Sequence, residues 1–131
     1  MSKTLLIKQK SASVLRVVVF GPESTGKTTL CKDLAAHYKT LWVPEFARVF
    51  LQDKWDKKKE ACTREDLITI AQGQMRAENA ALSKANKILF CDTNVLVTEI
   101  WSETHFDGYC DPIIKEAVKQ VCYDLYLLTG I

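Results

Sequence analysis

The stretch Gly21-Pro22-Glu23-Ser24-Thr25-Gly26-Lys27-Thr28 matches the phosphate-binding P-loop pattern G-x-x-x-x-G-K-[ST] at every position. The mostly apolar, β-branched run at 14–20 precedes it and predicts a buried parallel strand. Apolar residues follow it at helical spacing as far as Tyr38. In a strand, loop and helix start of this kind, backbone N–H groups and the helix dipole converge on an anion. We therefore expect this loop to bind phosphate.

The same loop predicts a binding site for a nucleoside triphosphate and Mg²⁺. Lys27 is expected to reach the β- and γ-phosphates, and the Thr28 hydroxyl to coordinate Mg²⁺. A signalling GTPase is disfavoured because the sequence contains no N-K-x-D guanine-reading motif. The expected nucleotide, ATP, is implied by a family resemblance described below. Its predicted binding residues are Gly21, Glu23, Ser24, Thr25, Gly26, Lys27, Thr28 and Thr29.

Length and composition predict one soluble globular domain. The chain has 131 residues, of which 47% are hydrophobic and 26% charged. Its net charge of +2 is too small to favour a nucleic-acid or membrane partner. The run Leu5-Leu6-Ile7 is far shorter than a signal-peptide core or a membrane span. We expect a cytoplasmic protein that binds neither nucleic acid nor membrane.

The five cysteines are Cys31, Cys62, Cys91, Cys110 and Cys122. Their number is odd, no C-x-x-C pair occurs, and neither histidine lies at zinc-ligand spacing from any of them. We expect reduced, structural thiols, with Cys31, Cys91 and Cys122 on apolar faces.

The rest of the chain alternates strands with helices. Short apolar runs predict strands at 41–43, 87–91 and 123–128. Helices are predicted at about 46–52, from Thr63 to about 85, from near Asn94, and from Asp111-Pro112, whereas the charged stretch 53–60 predicts a solvated loop. This order predicts an α/β, three-layer P-loop kinase-like fold: a parallel sheet of about four strands with helices on both faces. Ligands bind such sheets at the carboxyl ends of the strands.

Two carboxylates follow the second and third predicted strands. Asp92 has the form of a Walker B acid, which holds Mg²⁺, although it could also cap the helix that follows. Glu45 could orient and deprotonate an acceptor hydroxyl, or be an acidic residue of a first helical turn. Arg48 lies three residues later on the same helix face, where it could clamp substrate or pair with Glu45. The predicted catalytic residues are Lys27, Asp92, Glu45 and Arg48.

Aromatic and amide side chains offer further substrate contacts. Trp42, Phe46 and Trp101 could stack on a flat ring, but such aromatics more often belong to the core. Gly73, inside the long predicted helix, would permit close approach of a ligand or a neighbouring strand, and the adjacent Gln74 could contact a substrate edge. The predicted substrate-binding residues are Glu45, Arg48, Trp42 and Gln74.

Four segments together resemble the ribosylnicotinamide kinase domain of NadR-type NAD-biosynthesis proteins. They are Gly21-Pro22-Glu23-Ser24-Thr25-Gly26-Lys27-Thr28-Thr29-Leu30, Val43-Pro44-Glu45-Phe46-Ala47-Arg48, Phe90-Cys91-Asp92-Thr93-Asn94-Val95-Leu96-Val97-Thr98, and Tyr123-Asp124-Leu125-Tyr126-Leu127-Leu128-Thr129. The P-loop alone is generic, whereas the four segments in this order are distinctive.

The resemblance implies a kinase that transfers the γ-phosphate of ATP to the 5′-hydroxyl of nicotinamide riboside, giving nicotinamide mononucleotide. Lys27 and Thr28 correspond to its nucleotide and Mg²⁺ residues, and Asp92 to the acid that ends its third strand. Glu45 and Arg48 correspond to its substrate side. The alternatives are another P-loop nucleoside or nucleotide kinase or ATPase, and an ATP-binding regulatory module with little catalysis.

The sequence departs from this family at its C-terminal end. We expect an N-terminal extension at 1–13 and a kinase-like domain at 14–131 that lacks the family's lid segment and last strand. No arginine follows Arg76, so the arginines of such a lid are missing from this chain. The resulting free sheet edge would be open to pairing with another chain, as in a homo-oligomer.

Overall fold

The computed structural model, which describes residues 7–22 and 26–130, contains one parallel sheet. Its strands are β1 (Leu15–Phe20), β2 (Trp42–Val43), β3 (Ile88–Asp92) and β4 (Leu125–Leu128). They pair in the order β2-β3-β1-β4, and every pairing is parallel. The carboxyl ends of β1, β2 and β3 therefore meet at one edge of the sheet.

Five helices lie in the described part of the chain. They are α1 (Lys27–His37), α2 (Phe46–Lys58), α3 (Arg64–Leu82), α4 (Val95–His105) and α5 (Pro112–Gln120). Because side chains alternate along a strand, Val17 and Val19 of β1 pack with α1 on one face, whereas Val18 packs with α3 on the other. The three-layer α/β fold predicted from the sequence is confirmed.

A second core lies among the helices on the α3 side of the sheet. Leu67, Ile70 and Met75 of α3 pack there with Ile114 of α5. Ile7, from the predicted N-terminal extension, is buried in the same cluster. Residues 7–10 are thus attached to the core, and the side chain of Gln9 also exchanges hydrogen bonds with the backbone of Cys122.

The prediction of a loop at 53–60 is wrong, because α2 continues to Lys58. Its charges stabilise the helix rather than ending it. Asp53 pairs with Lys57 at 3.2 Å, one helical turn apart. Lys54 pairs with Asp66 of α3 at 2.5 Å, which attaches this end of α2 to the neighbouring helix. The helix ends where Lys59 adopts a left-handed conformation.

The five cysteines are free, as predicted. Cys31 and Cys91 are buried between the sheet and its helices, and burial raises the pKa of the Cys31 thiol to about 12. The prediction that Cys122 lies on an apolar face is wrong, because it is exposed between α5 and β4. None of the described helices has the length and apolar character needed to cross a membrane.

Strand β4 is one edge of the sheet. It pairs with β1 along one side, and Leu125 and Leu128 are 49% and 69% exposed. Apolar side chains are therefore exposed along this edge strand in the described part of the chain.

Candidate active site

The phosphate loop lies between β1 and α1. Its residues Glu23, Ser24 and Thr25 lie outside the described residues. Gly26 precedes α1 with φ of +80°, a left-handed conformation that glycine adopts without steric cost. No side chain among the described residues caps this helix start. Since the first backbone N–H groups of a helix have no partner within the helix, those of α1 are oriented to bind an anion.

Three other helix starts in the described chain are capped by their own side chains, whereas at the start of α2 the N–H of Phe46 donates instead to Oε1 of Gln74 from α3. Thr63 caps α3 in a capping box, Asn94 caps α4, and Asp111 caps α5. In each, a side-chain oxygen accepts a hydrogen bond from a backbone N–H of the first turn. The uncapped start of α1 therefore coincides with the phosphate-binding motif.

Lys27 brings together three predicted site residues. Its ammonium lies 3.1 Å from Oε1 of Glu45 and 3.5 Å from Oδ1 of Asp92. Glu45 follows β2, and Asp92 ends β3, opposite Val19 of β1. The parallel sheet thus converts three separate places in the sequence into one cluster of charges. Lys27 is 7% exposed, so its charge is largely withdrawn from water and is neutralised by the two carboxylates.

Asp92 is fully buried and only partly hydrogen bonded. Its Oδ2 accepts a hydrogen bond from the Thr28 hydroxyl at 2.8 Å. Its Oδ1 has no hydrogen-bond partner among the described residues, the Lys27 ammonium being at ion-pair distance only. Asp92 does not cap α4, because Asn94 does. Thr29 lies on the exposed side of the first turn of α1, and Gly21 follows β1 directly.

Glu45 also contacts Arg48, so the ion pair that the i, i+3 spacing predicts is present. The Arg48 guanidinium lies 3.6 Å from Oε1 of Glu45, the same oxygen that contacts Lys27. Arg48 is half exposed and lines the mouth of a pocket beside the cluster. The contact with Glu45 does not prevent Arg48 from facing a ligand in that pocket.

This pocket has a volume of about 260 Å³ and lies between α2, α3 and α4. Polar side chains mark the end near Lys27, and apolar ones form much of the remaining wall. A mostly apolar cleft with a few converging polar groups is the usual form of a small-molecule site. Its lining residues are Glu45, Ala47, Arg48, Leu51, Cys62, Leu67, Ile70, Gln74, Thr93, Val97, Thr98 and Trp101.

Gln74 lines the pocket, but its amide is engaged by backbone. Its Oε1 accepts a hydrogen bond from the N–H of Phe46 at 2.8 Å, and its Nε2 donates to the carbonyl of Pro44 at 3.4 Å. The two bonds flank Glu45. Gln74 is 2% exposed. It therefore holds the turn that carries Glu45.

The three predicted aromatic contacts have different locations. Trp101 of α4 lines the pocket and stacks on His105. Trp42 packs on the opposite face of the sheet, against the core cluster beside α1, and the structure does not bring it to the pocket. Phe46 packs over Gly73 of α3, where an added Cβ would lie 2.4 Å from the ring. The helix-interior glycine thus permits close approach of a phenylalanine from α2.

Sequence reasoning missed several residues of the pocket wall. No site role was predicted for Leu51, Leu67 or Ile70, which lie in helices predicted at about 46–52 and from Thr63 to about 85. Apolar residues at helical spacing face either a core or a pocket, and the pattern is the same for both. Thr93 gave one weak signal, its place directly after the acid that ends β3.

An uncapped P-loop helix, acids after two neighbouring strands and an adjoining pocket together define the class: a P-loop nucleotide-binding domain with the architecture of a phosphotransferase. A family model described as an AAA domain matches residues 16–131. The chain belongs to this AAA domain family.

The chain is also similar to curated and solved proteins. It is 28% identical over 115 residues to the trifunctional NAD biosynthesis/regulator protein NadR of Salmonella typhimurium strain LT2, and equally to that of Escherichia coli strain K12. A solved NadR protein in complex with NR is 27% identical, with a TM-score of 0.75 over 88% of this chain. A thymidylate kinase from Ehrlichia chaffeensis, 18% identical with a TM-score of 0.58 over 91% of this chain and 72% of its own, shares the fold. The resemblance to the NadR-type kinase domain is confirmed.

These relatives are longer proteins. The aligned region covers 88% of this chain but only 28% of the curated NadR proteins, and 34% of the solved NadR chain. The chain therefore spans about a third or less of the NadR proteins it matches.

Proposed function

We propose that this chain is an ATP-dependent kinase domain that phosphorylates the 5′-hydroxyl of nicotinamide riboside to nicotinamide mononucleotide. One observation carries the proposal: the P-loop lysine contacts Glu45 at the mouth of a pocket that is mostly apolar beyond it. Phosphate donor and acceptor would then meet at Lys27. The solved NadR relative is in complex with NR, which we interpret as nicotinamide riboside, and this supports the acceptor.

Asp92 and Thr28 fit a role in holding Mg²⁺. Both offer oxygen atoms, the donors that Mg²⁺ prefers, and Oδ1 of Asp92 is buried without a hydrogen-bond partner in the described chain. No group of three or more His, Cys, Asp or Glu residues among the described positions could hold a metal. That is compatible with Mg²⁺ beside a nucleotide, which uses one or two carboxylates, phosphates and water. When bound, Mg²⁺ would neutralise charge on the phosphate oxygens.

Glu45 is the better candidate for the base, because it lines the pocket and Asp92 does not belong to its described lining. Phosphate oxygens arriving at Lys27 would compete for its ammonium and release the Glu45 carboxylate toward the acceptor. As the acceptor oxygen bonds to the γ-phosphorus, its proton passes to Glu45. The bond between the γ-phosphorus and the bridging oxygen breaks, and ADP leaves.

Arg48 would act on the acceptor side. Its guanidinium is half exposed at the pocket mouth, so a ligand can reach it without displacing Glu45. A planar cation there can bind phosphoryl oxygens or a carbonyl group of the acceptor. Trp101, across the pocket on α4, offers an aromatic face for a flat ring.

The test is formation of nicotinamide mononucleotide from ATP and nicotinamide riboside. We expect Lys27→Ala to lower kcat/KM at least about 100-fold, because it removes the charge that stabilises the transferring phosphoryl group. Lys32→Ala, which removes an exposed lysine from the same helix, is the matched control and retains activity. ATP turnover that nicotinamide riboside does not stimulate, or a clear preference for another riboside in a panel of acceptors, contradicts the assignment.

A further inference from the structure

Thr93 has a backbone conformation that its side chain disfavours. It follows Asp92 at the end of β3 with φ of +76°, in the left-handed region that β-branched residues rarely adopt. Its N–H donates a hydrogen bond to the carbonyl of Val19 at 3.0 Å, which holds this geometry against β1. Such strain persists only where the surrounding structure enforces it, and it concentrates at ligand sites.

The hydroxyl of Thr93 also lacks a hydrogen-bond partner in the part of the chain that the structure describes. The residue is 5% exposed and lines the pocket, and Oγ1 is buried with no hydrogen-bond partner among the described residues. Buried hydroxyl groups are nearly always hydrogen bonded in folded proteins. A polar atom left unpaired in the wall of a cleft is a reason to expect a ligand there.

The next buried polar side chains along the chain are all hydrogen bonded. Asn94 caps α4 through the N–H of Val97, Thr98 donates to the carbonyl of Asn94, and Ser102 donates to the carbonyl of Tyr109. The missing partner is therefore particular to Thr93 within this segment rather than a property of the whole segment.

We propose that Thr93 is a substrate-contacting residue. Its hydroxyl binds a hydroxyl group of the acceptor's sugar and thereby orients the sugar toward Glu45. This inference rests on the proposed function and names a residue that neither the motif nor the pocket chemistry had assigned. The ligand class is a polyhydroxylated riboside, whose hydroxyl groups can both donate to and accept from Oγ1.

The position of Thr93 favours the sugar over the ring. Thr93 is bonded to Asp92, which lies 3.5 Å from the Lys27 ammonium, so it belongs to the phosphate end of the pocket. Leu51, Leu67 and Ile70 supply apolar wall suited to a flat ring. In phosphoryl transfer to a riboside, the sugar lies between the ring and the phosphates, so a lining residue bonded to Asp92 is suited to contact the sugar rather than the ring.

The experiment compares Thr93→Val, which removes only the hydroxyl, with Thr93→Ser, which keeps it. Binding of nicotinamide riboside and of purine and pyrimidine ribosides is measured by calorimetry, alongside the Tm of the ligand-free protein. We expect Thr93→Val to raise the Kd of the riboside bound by the wild type about fivefold to tenfold, and Thr93→Ser to recover most of that loss. Because Oγ1 has no hydrogen-bond partner to lose among residues 7–22 and 26–130, the Tm of Thr93→Val should be unchanged or higher.

Thr104→Val is the matched control, since it removes an exposed hydroxyl from α4 and should leave binding unchanged. A Thr93→Val protein that binds the riboside as tightly as the wild type overturns the proposal, as does a lowered Tm with unchanged Kd. If the wild type binds a different riboside, the proposed function fails. The Kd values of Thr93→Val and Thr93→Ser for that riboside then still decide the role of Thr93. A wild type that binds no riboside overturns both.

Discussion

Two carboxylates in this protein are equally buried, yet their surroundings differ. Glu78 on α3 and Asp92 at the end of β3 are each 1% exposed. Glu78 accepts hydrogen bonds from the Tyr123 hydroxyl at 2.6 Å and the Gln9 amide at 2.8 Å, and lies 3.5 Å from Arg16. Asp92 accepts one hydrogen bond from a side chain, that of Thr28, and its other oxygen has none in the described chain.

The difference separates a structural carboxylate from one available to a ligand. A buried charge is costly unless hydrogen bonds and opposite charges compensate it. The partners of Glu78 come from residues 9 and 123, so its network attaches the N-terminal segment and the approach to β4 to α3. Asp92 lies beside the phosphate loop, where a bound group can complete its coordination. We propose that incomplete hydrogen bonding, more than burial, distinguishes the acid that binds a ligand.

The largest effect expected from this comparison is on catalysis by Asp92. Asp92→Asn keeps the shape and the contact with Thr28 but removes the charge, so kcat/KM should fall about 100-fold to 1,000-fold. The Tm should change little, because Lys27 keeps its ion pair with Glu45 when the charge of Asp92 is removed. Asp33→Asn, an exposed position on α1, is the control for kinetics and thermal melting. Unchanged kinetics with a strongly lowered Tm would make Asp92 a structural acid like Glu78.

The next effect is on stability, and it concerns Glu78. Glu78→Ala removes the acceptor of the partly buried Tyr123 hydroxyl, one of the two acceptors of the Gln9 amide, and the carboxylate that faces the buried Arg16, so the free energy of unfolding should fall by about 3 kcal/mol. Glu65→Ala on the same helix is exposed and should change it by less than about 1 kcal/mol. Urea unfolding measures the free energy of unfolding of both variants. A loss of kcat/KM in the folded fraction of Glu78→Ala would abolish the distinction between the two acids.

The smallest effect is the pH dependence of stability. Desolvation by burial raises the pKa of Glu78 above its ordinary value of 4.5, although hydrogen bonds from Gln9 and Tyr123 and the charge of Arg16 oppose the shift. The pKa of Glu78 is higher in the folded state than in the unfolded state. The carboxyl group therefore contributes its full stabilisation at pH values below the unfolded-state pKa. That contribution is lost as pH rises through the folded value.

The free energy of unfolding of the wild type, taken relative to Glu78→Gln, should therefore decrease as pH rises above 4.5 and then level off. Urea unfolding of the two proteins across this range tests the sign. A relative stability that increases with pH would show that the hydrogen bonds and Arg16 outweigh desolvation.

Much of the candidate site could be predicted because it depends on short-range patterns. The P-loop motif, the apolar run before it and the helical spacing after it all lie within 25 residues. Glu45 and Asp92 were predicted to approach this loop because each follows a strand of the predicted parallel sheet, and the structure brings both within 3.5 Å of the Lys27 ammonium. The length of α2 was not predicted, since its charged second half gains its stabilising partners within the helix and from Asp66 of α3.

The sequence by itself determined the fold class, the phosphate loop and the acids at the strand ends, because apolar periodicity and motif spacing are local properties of the chain. Only the tertiary structure decided which neighbouring side chains reach the ligand. In β2, Val43 packs toward α3 and its neighbour Trp42 toward α1, so one step along the strand excludes the tryptophan from the pocket. The partners of Gln74 and the orphaned hydroxyl of Thr93 likewise depend on how α2, α3 and β3 meet, and no local pattern records such contacts.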